Sequence, residues 1–147
     1  MLEELYQQII LEHYRRPRHK GRLDPADTAA RENNPLCGDE LEVTARIRDG
    51  KIAEICFDGH GCSISQASAS IMTQKLTGRT IAEAEELIAR FLKMMRGEIP
   101  FGGRELGELK ALEGVLKFPV RVKCATLAWH VADTGLRQFR AAADKPR

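Results

Sequence analysis

Residues 59–76 read GHGCSISQASASIMTQKL, and the rest of the chain is legible outward from them. Gly59 and Gly61 bracket a tight loop, and Cys62 stands where that loop becomes a helix. A thiol at a helix N-terminus meets unpaired backbone N–H groups and the positive end of the helix dipole, and both favour thiolate over thiol. Thiolate is the form that binds metal or attacks sulfur. The plainer reading is a buried packing cysteine. On the helix, Gln66, Ser70 and Thr73 make a narrow polar face and the remaining arc is apolar or small, so the helix should be mostly buried, ending at Gly78.

Upstream lies a hairpin. Leu41, Val43, Ala45 and Ile47 alternate with Glu42, Thr44, Arg46 and Arg48, the pattern of a half-buried strand. Asp49-Gly50 supplies the turn. The return strand, 51–58, is expected to place Ala53, Ile55 and Phe57 on one face and Ile52, Glu54, Cys56 and Asp58 on the other. Cys56 then reads as a packing residue. Before the hairpin comes Asn34-Pro35-Leu36-Cys37-Gly38-Asp39, a turn-rich loop, with a short strand around Thr28–Glu32 ahead of it.

Downstream, Thr80-Ile81-Ala82-Glu83 is a capping box. It opens a helix whose stripe is Ile81, Ala84, Leu87, Ile88, Phe91, Leu92, Met94 and Met95, stopped by Gly97. Residues 98–118 read as an inserted segment, with Leu106, Leu109, Leu112 and Leu116 on a short amphipathic helix interrupted by glycines. Pro119 suits a helix first turn. The last helix carries Val122, Ala125, Ala128, Trp129, Ala132, Leu136 and Phe139 on one face, with Cys124 in its first turns and His130 outside. Residues 141–147 read as a frayed tail.

The N-terminus is helical: Leu2, Leu5, Tyr6, Ile9, Ile10 and His13 share a face, and Arg16-Pro17 ends it. His13, on the apolar stripe, reads as packed and hydrogen-bonded ahead of any ligand role. Arg15, Arg16, Arg18, His19, Lys20 and Arg22 form a basic turn, read as a solvated loop ahead of an acidic-partner patch.

The totals narrow the function. A length of 147 residues suits one domain with a real core. A net charge of +2 argues for neither nucleic acid nor a membrane surface, and a single tryptophan argues against a base-stacking platform. No apolar run spans a bilayer and the opening residues form no signal peptide, so the cytoplasm is the expected location. Four cysteines in such a chain favour metal or sulfur chemistry over disulfides.

The fold expected is α+β, a small antiparallel sheet of about three strands covered by helices in two layers. Such packing gathers element ends at one edge, and three cysteines fall at ends: Cys37, Cys62 and Cys124. Gly38 lets the backbone bend so that Cys37 and Asp39 can face one centre. Three thiolates and one carboxylate are a four-coordinate set suited to zinc, and a seat for iron as well. Zinc with that set carries a charge of −2, which a partly buried site must offset with cations. Arg121 and Lys123, flanking Cys124, can supply them.

Asn34–Asp39, Gly61–Met72 (GCSISQASASIM) and Arg121–Trp129 (RVKCATLAW) together resemble the iron–sulfur cluster assembly family of IscU scaffolds, NifU N-terminal domains and SufU proteins. Leu5-Tyr6, His13-Tyr14 and Pro17-Arg18 resemble its N-terminal helix, so the likeness spans 1–147 as one domain. Lys123 stands where IscU scaffolds carry histidine, and the segment 98–118 resembles an insertion of the SufU branch. The resemblance implies a SufE/IscU-like two-layer sandwich and a zinc-dependent sulfurtransferase. Its zinc ligands would be Cys37, Asp39, Cys62 and Cys124. Its partners would be a PLP-dependent cysteine desulfurase and the downstream cluster assembly machinery, with neither nucleic acid nor membrane. Cys37, in a glycine-flanked loop, is the first choice for sulfur acceptor and Cys124 the second. The alternatives are a scaffold building an iron–sulfur cluster on the same ligands, and a structural zinc domain.

Overall fold

A computed structural model describes residues 2–143, so residues 144–147 of the expected tail lie outside the described residues, while 141–143 close the last helix. The elements run α1 (Leu2–Arg15), β1 (Thr28–Asn34), β2 (Asp39–Arg48), β3 (Lys51–His60), α2 (Ser63–Leu76), α3 (Ile81–Met95), a 3-10 helix (Arg104–Lys117) and α4 (Pro119–Ala143). The strands form one antiparallel sheet in the order β1-β2-β3. Leu41, Val43 and Ala45 of β2 and Ile55 and Phe57 of β3 carry the sheet side of the core. None of the described helices is long and apolar enough to cross a membrane.

The β2–β3 turn follows its sequence: Asp49 and Gly50 both take left-handed backbone, with φ of 53° and 74°. The return strand does not keep strict alternation. Arg46 pairs with Glu54 but Ile47 pairs with Ile52, which leaves Ala53 as the extra residue of a bulge. The extra residue resets the alternation, so Ile52 is buried and Ala53 exposed, the reverse of the expected faces.

Helix α2 is buried along nearly its whole length, as its small residues predict. Its polar face is covered by α1 and the segment after it. The His13 Nδ1 lies 2.7 Å from Ser70 Oγ, and the Arg18 backbone N–H donates to the same oxygen at 2.8 Å. His19 Nδ1 lies 3.1 Å from Thr73 Oγ1, and Lys20 Nζ donates to Gln66 Oε1 at 2.6 Å. The basic turn is therefore not a purely solvated loop, because three of its members hydrogen-bond to polar groups of α2. On α1, His13 is fully buried as expected, whereas Leu5 is exposed.

The capping box at Thr80 and Glu83 forms, and α3 buries the stripe from Ala84 to Met95. Trp129 of α4 stacks on Phe91 with ring centroids 4.2 Å apart and donates its indole N–H to Ser68 Oγ at 3.0 Å. In the segment 104–117, Leu106, Leu109, Leu112 and Val115 are buried. That three-residue spacing is the 3-10 period, so Val115 rather than Leu116 continues the stripe. Gly107, at φ 50° and ψ −125°, interrupts the segment.

Candidate metal centre

Four sequence positions converge where the β1–β2 turn, the start of α2 and the start of α4 meet. The turn is closed by the Cys37 N–H donating to Asn34 O at 3.2 Å and the Leu36 N–H donating to Asn34 Oδ1 at 3.3 Å. Gly38 then takes a φ of 68°, a conformation open to glycine at little cost. That reversal sets Cys37 just before β2 and Asp39 as the first residue of β2.

Asp39 is 1% exposed and its two oxygens have different surroundings. Oδ1 accepts from the Cys62 N–H at 2.9 Å and from Ser65 Oγ at 3.2 Å. Oδ2 is buried with no hydrogen-bond partner. The arrangement needs Gly61, because a Cβ there would stand 2.4 Å from both Asp39 Oδ1 and Ser65 Oγ. Cys62 is the N-cap of α2, and its Sγ accepts from the Ser65 N–H at 3.5 Å. Its own N–H, one of the orphan donors expected at a helix start, is the group that Asp39 takes.

Cys124 is fully buried in the second turn of α4, and its Sγ lies 2.8 Å from the Sγ of Cys37. The donor atoms of Cys37, Asp39 and Cys124 all lie within 4.8 Å of one another. Cys62 stands beside this trio rather than inside it, tied to Asp39 through its backbone N–H. Burial first, then contact with Cys37, Asp39 and Cys62, pushes the Cys124 thiol well above the usual cysteine range. Arg121 is held more firmly protonated, chiefly by its contact with Cys62 and then by Cys124. Of the two cations expected to offset charge, Arg121 is in place, while Lys123 is exposed.

Chemically, the arrangement offers soft sulfur donors and one hard oxygen in a buried pocket, a donor set that matches zinc. The unpartnered Oδ2 is the sharpest sign of fit: a buried carboxylate oxygen without a donor is costly, and a cation beside it removes that cost. Cys56 lies elsewhere. It pairs with Thr44 across the sheet, is half-buried, and burial followed by the Glu54 carboxylate raises its thiol pKa.

Two supporting residues escaped the sequence reading. Ser65 holds Asp39 from the first turn of α2, and its signal was a serine three positions after the cap. Asn34 organises the Cys37 turn, and its signal was an Asn-Pro pair, which favours a side-chain-closed turn.

The chain is similar to known proteins over nearly its whole length. Residues 5–145 match the family model described as the NifU-like N terminal domain. The chain is 45% identical over 136 residues to the zinc-dependent sulfurtransferase SufU of Bacillus subtilis (strain 168), covering 92% of this chain and 91% of that protein. It is 41% identical over 137 residues to the iron-sulfur cluster assembly scaffold protein IscU of Streptococcus pyogenes serotype M1, covering 93% and 86%. Among solved structures, a putative iron-sulfur cluster assembly scaffold protein for the SUF system from Fervidobacterium islandicum AW-1 superposes with a TM-score of 0.84 at 31% identity, covering 91% of this chain and 98% of that one.

Proposed function

This chain belongs to the NifU-like N-terminal domain family, and we propose that it serves iron–sulfur cluster biogenesis as a zinc-dependent sulfur acceptor. Its sulfur would come from the persulfide of a PLP-dependent cysteine desulfurase and pass on to downstream cluster assembly machinery. The observation that carries this reading is the gathering of donor atoms of Cys37, Asp39 and Cys124 within 4.8 Å of one another, with Asp39 Oδ2 buried and unpartnered. The likeness to a zinc-dependent sulfurtransferase across 92% of the chain supports it.

Cys37, Asp39, Cys62 and Cys124 would hold the zinc. When bound, it keeps neighbouring thiols in the thiolate form near neutral pH. The chain's own residues do the rest. Cys37 sits on a turn hinged at Gly38, so its side chain can leave the pocket while the strand beneath stays fixed. Its thiolate attacks the outer sulfur of the donor persulfide. One S–S bond forms at Cys37, the donor's S–S bond breaks, and the donor cysteine departs as thiolate, so no net oxidation occurs. Cys124, buried within a helix, is the less mobile second choice. Asp39 and Cys62 stay locked together by the 2.9 Å bond. Arg121 offsets the surplus negative charge. A reducing compartment such as the cytoplasm, where free thiols persist, suits this reading.

A scaffold role on the same residues is the second reading, favoured by the likeness to IscU proteins. Turnover of a cysteine desulfurase, measured with this protein zinc-loaded and metal-stripped, separates the two. Stimulation by the zinc form alone, with persulfide on Cys37, supports the acceptor. Stimulation without zinc dependence, and a cluster formed on iron and sulfide addition that transfers to an apo-protein, supports the scaffold.

A further inference from the structure

Asn34, the last residue of β1, is 7% exposed, and its Nδ2 has no hydrogen-bond partner. The other end of its carboxamide is committed, because Oδ1 accepts from the Leu36 N–H. That bond fixes which atom is the nitrogen.

The sheet register says where this side chain sits. Asn34 pairs with Asp39, and register partners share one face of a sheet. Thr28 and Ala30, on the same alternation as Asn34, lie beneath Gly135 of α4. This face is therefore the one covered by α4, whose first turns carry Cys124. The Cys37 N–H in turn donates to the Asn34 backbone oxygen, so the two residues close one turn. A buried amide donor thus lies on the face covered by α4, in the turn that carries Cys37. The Asp39 carboxylate beside it in register does not take it, since Oδ2 is also without a partner.

We propose that Asn34 is a positioning residue for sulfur carried on Cys37, its Nδ2 donating to the outer sulfur of a Cys37 persulfide. This rests on the reading of Cys37 as the acceptor. The outer sulfur of a persulfide stands about 2.0 Å beyond Sγ and, once deprotonated, carries the negative charge. An amide N–H aimed at that charge makes a charge-assisted bond of the stronger kind. It turns the outer sulfur inward and shields it from soluble thiols until the sulfur is handed on.

The test loads the zinc-bound protein with sodium polysulfide. The Cys37 thiolate attacks a sulfane sulfur, an S–S bond forms, and a shortened polysulfide anion leaves. Peptide mapping locates the added sulfur. Its lifetime against dithiothreitol and the pH profile of its alkylation are then followed by mass spectrometry in wild type, Asn34→Asp and Asn34→Ser. Asp keeps the acceptor for the Leu36 N–H and deletes the donor. Ser deletes the amide without adding charge. The expected result is a lifetime about tenfold shorter in both variants, with the alkylation midpoint moved to higher pH. Equal lifetimes and unmoved profiles in both variants overturn the proposal. Wild-type sulfur mapping to Cys62 or Cys124 overturns the acceptor reading itself, and this proposal with it.

Discussion

The sulfurs of Cys37 and Cys124 meet at 2.8 Å across 87 positions of sequence. A loop cysteine and a helix cysteine in contact form a ready redox pair once nothing separates them. Mild oxidation of the metal-free protein with diamide is expected to give a Cys37–Cys124 disulfide and to leave Cys56 free. Zinc-loaded protein should resist the same treatment. Peptide mapping without reduction reads the outcome, and a product linking Cys56 would contradict the geometry.

Substitution can separate the hydrogen bonds that Asp39 makes from the metal-holding role proposed for it. Asp39→Asn keeps an oxygen for the Cys62 N–H and Ser65 Oγ, so stability should stay within about 1 kcal/mol while zinc affinity falls at least roughly tenfold. Asp39→Ala removes both hydrogen bonds as well and should cost about 2–3 kcal/mol. Urea unfolding of the metal-free variants and calorimetric zinc titration measure the two effects independently.

Gly61→Ala tests the close approach beneath the site. The new Cβ would stand 2.4 Å from Asp39 Oδ1, so the carboxylate must shift. The expected cost is about 1–3 kcal/mol of stability together with weaker zinc binding. Gly59→Ala should be worse, since its Cβ would meet the Glu40 carbonyl oxygen at 2.0 Å from a φ of +120°. Soluble yield and thermal midpoint report both.

The cap of α3 should make stability depend on pH on the acid side. The Thr80 backbone N–H and the Thr80 side chain hold the Glu83 carboxyl below its ordinary value of 4.5. A depressed carboxyl pKa means that the unfolded chain binds the proton first. The stabilisation is therefore complete above the unfolded value and is lost as pH falls through the folded one. Thr80→Ala should cost about 1 kcal/mol at pH 7 and flatten that part of the acid dependence. Urea midpoints of both proteins between neutral and acid pH provide the check.

Much of this was legible because each sequence signal was local. The Asp49-Gly50 turn, the Thr80–Glu83 box and the Cys62 cap each need only neighbours within a few residues. The misplacement of Ile52 and Ala53 came from the bulge opposite Arg46 and Ile47, a cross-strand property that alternation within one strand does not carry. A helical period of 3.6 puts Leu116 on the stripe, whereas the chain takes three residues per turn there and buries Val115. Nothing near Lys20 in sequence signals its contacts, because its partners, Gly59 O and Gln66 Oε1, are about forty positions or more away. At the site, the residue types point to Cys37, Asp39 and Cys124, which the structure brings within 4.8 Å of one another. That Cys62 stands beside the other three, and that Ser65 and Asn34 support them, depends on packing between elements.

The candidate donors also have an order in time. Positions 37 and 39 leave the ribosome early, position 62 follows, and position 124 arrives only with the last of the helices. A nascent chain therefore displays exposed thiols through most of its synthesis without a complete pocket to hold an ion. Only when α4 docks do Cys37 and Asp39 acquire Cys124 as a neighbour. On the proposed reading, metal capture would wait for α4, and an ion held there would report that α4 has found its place.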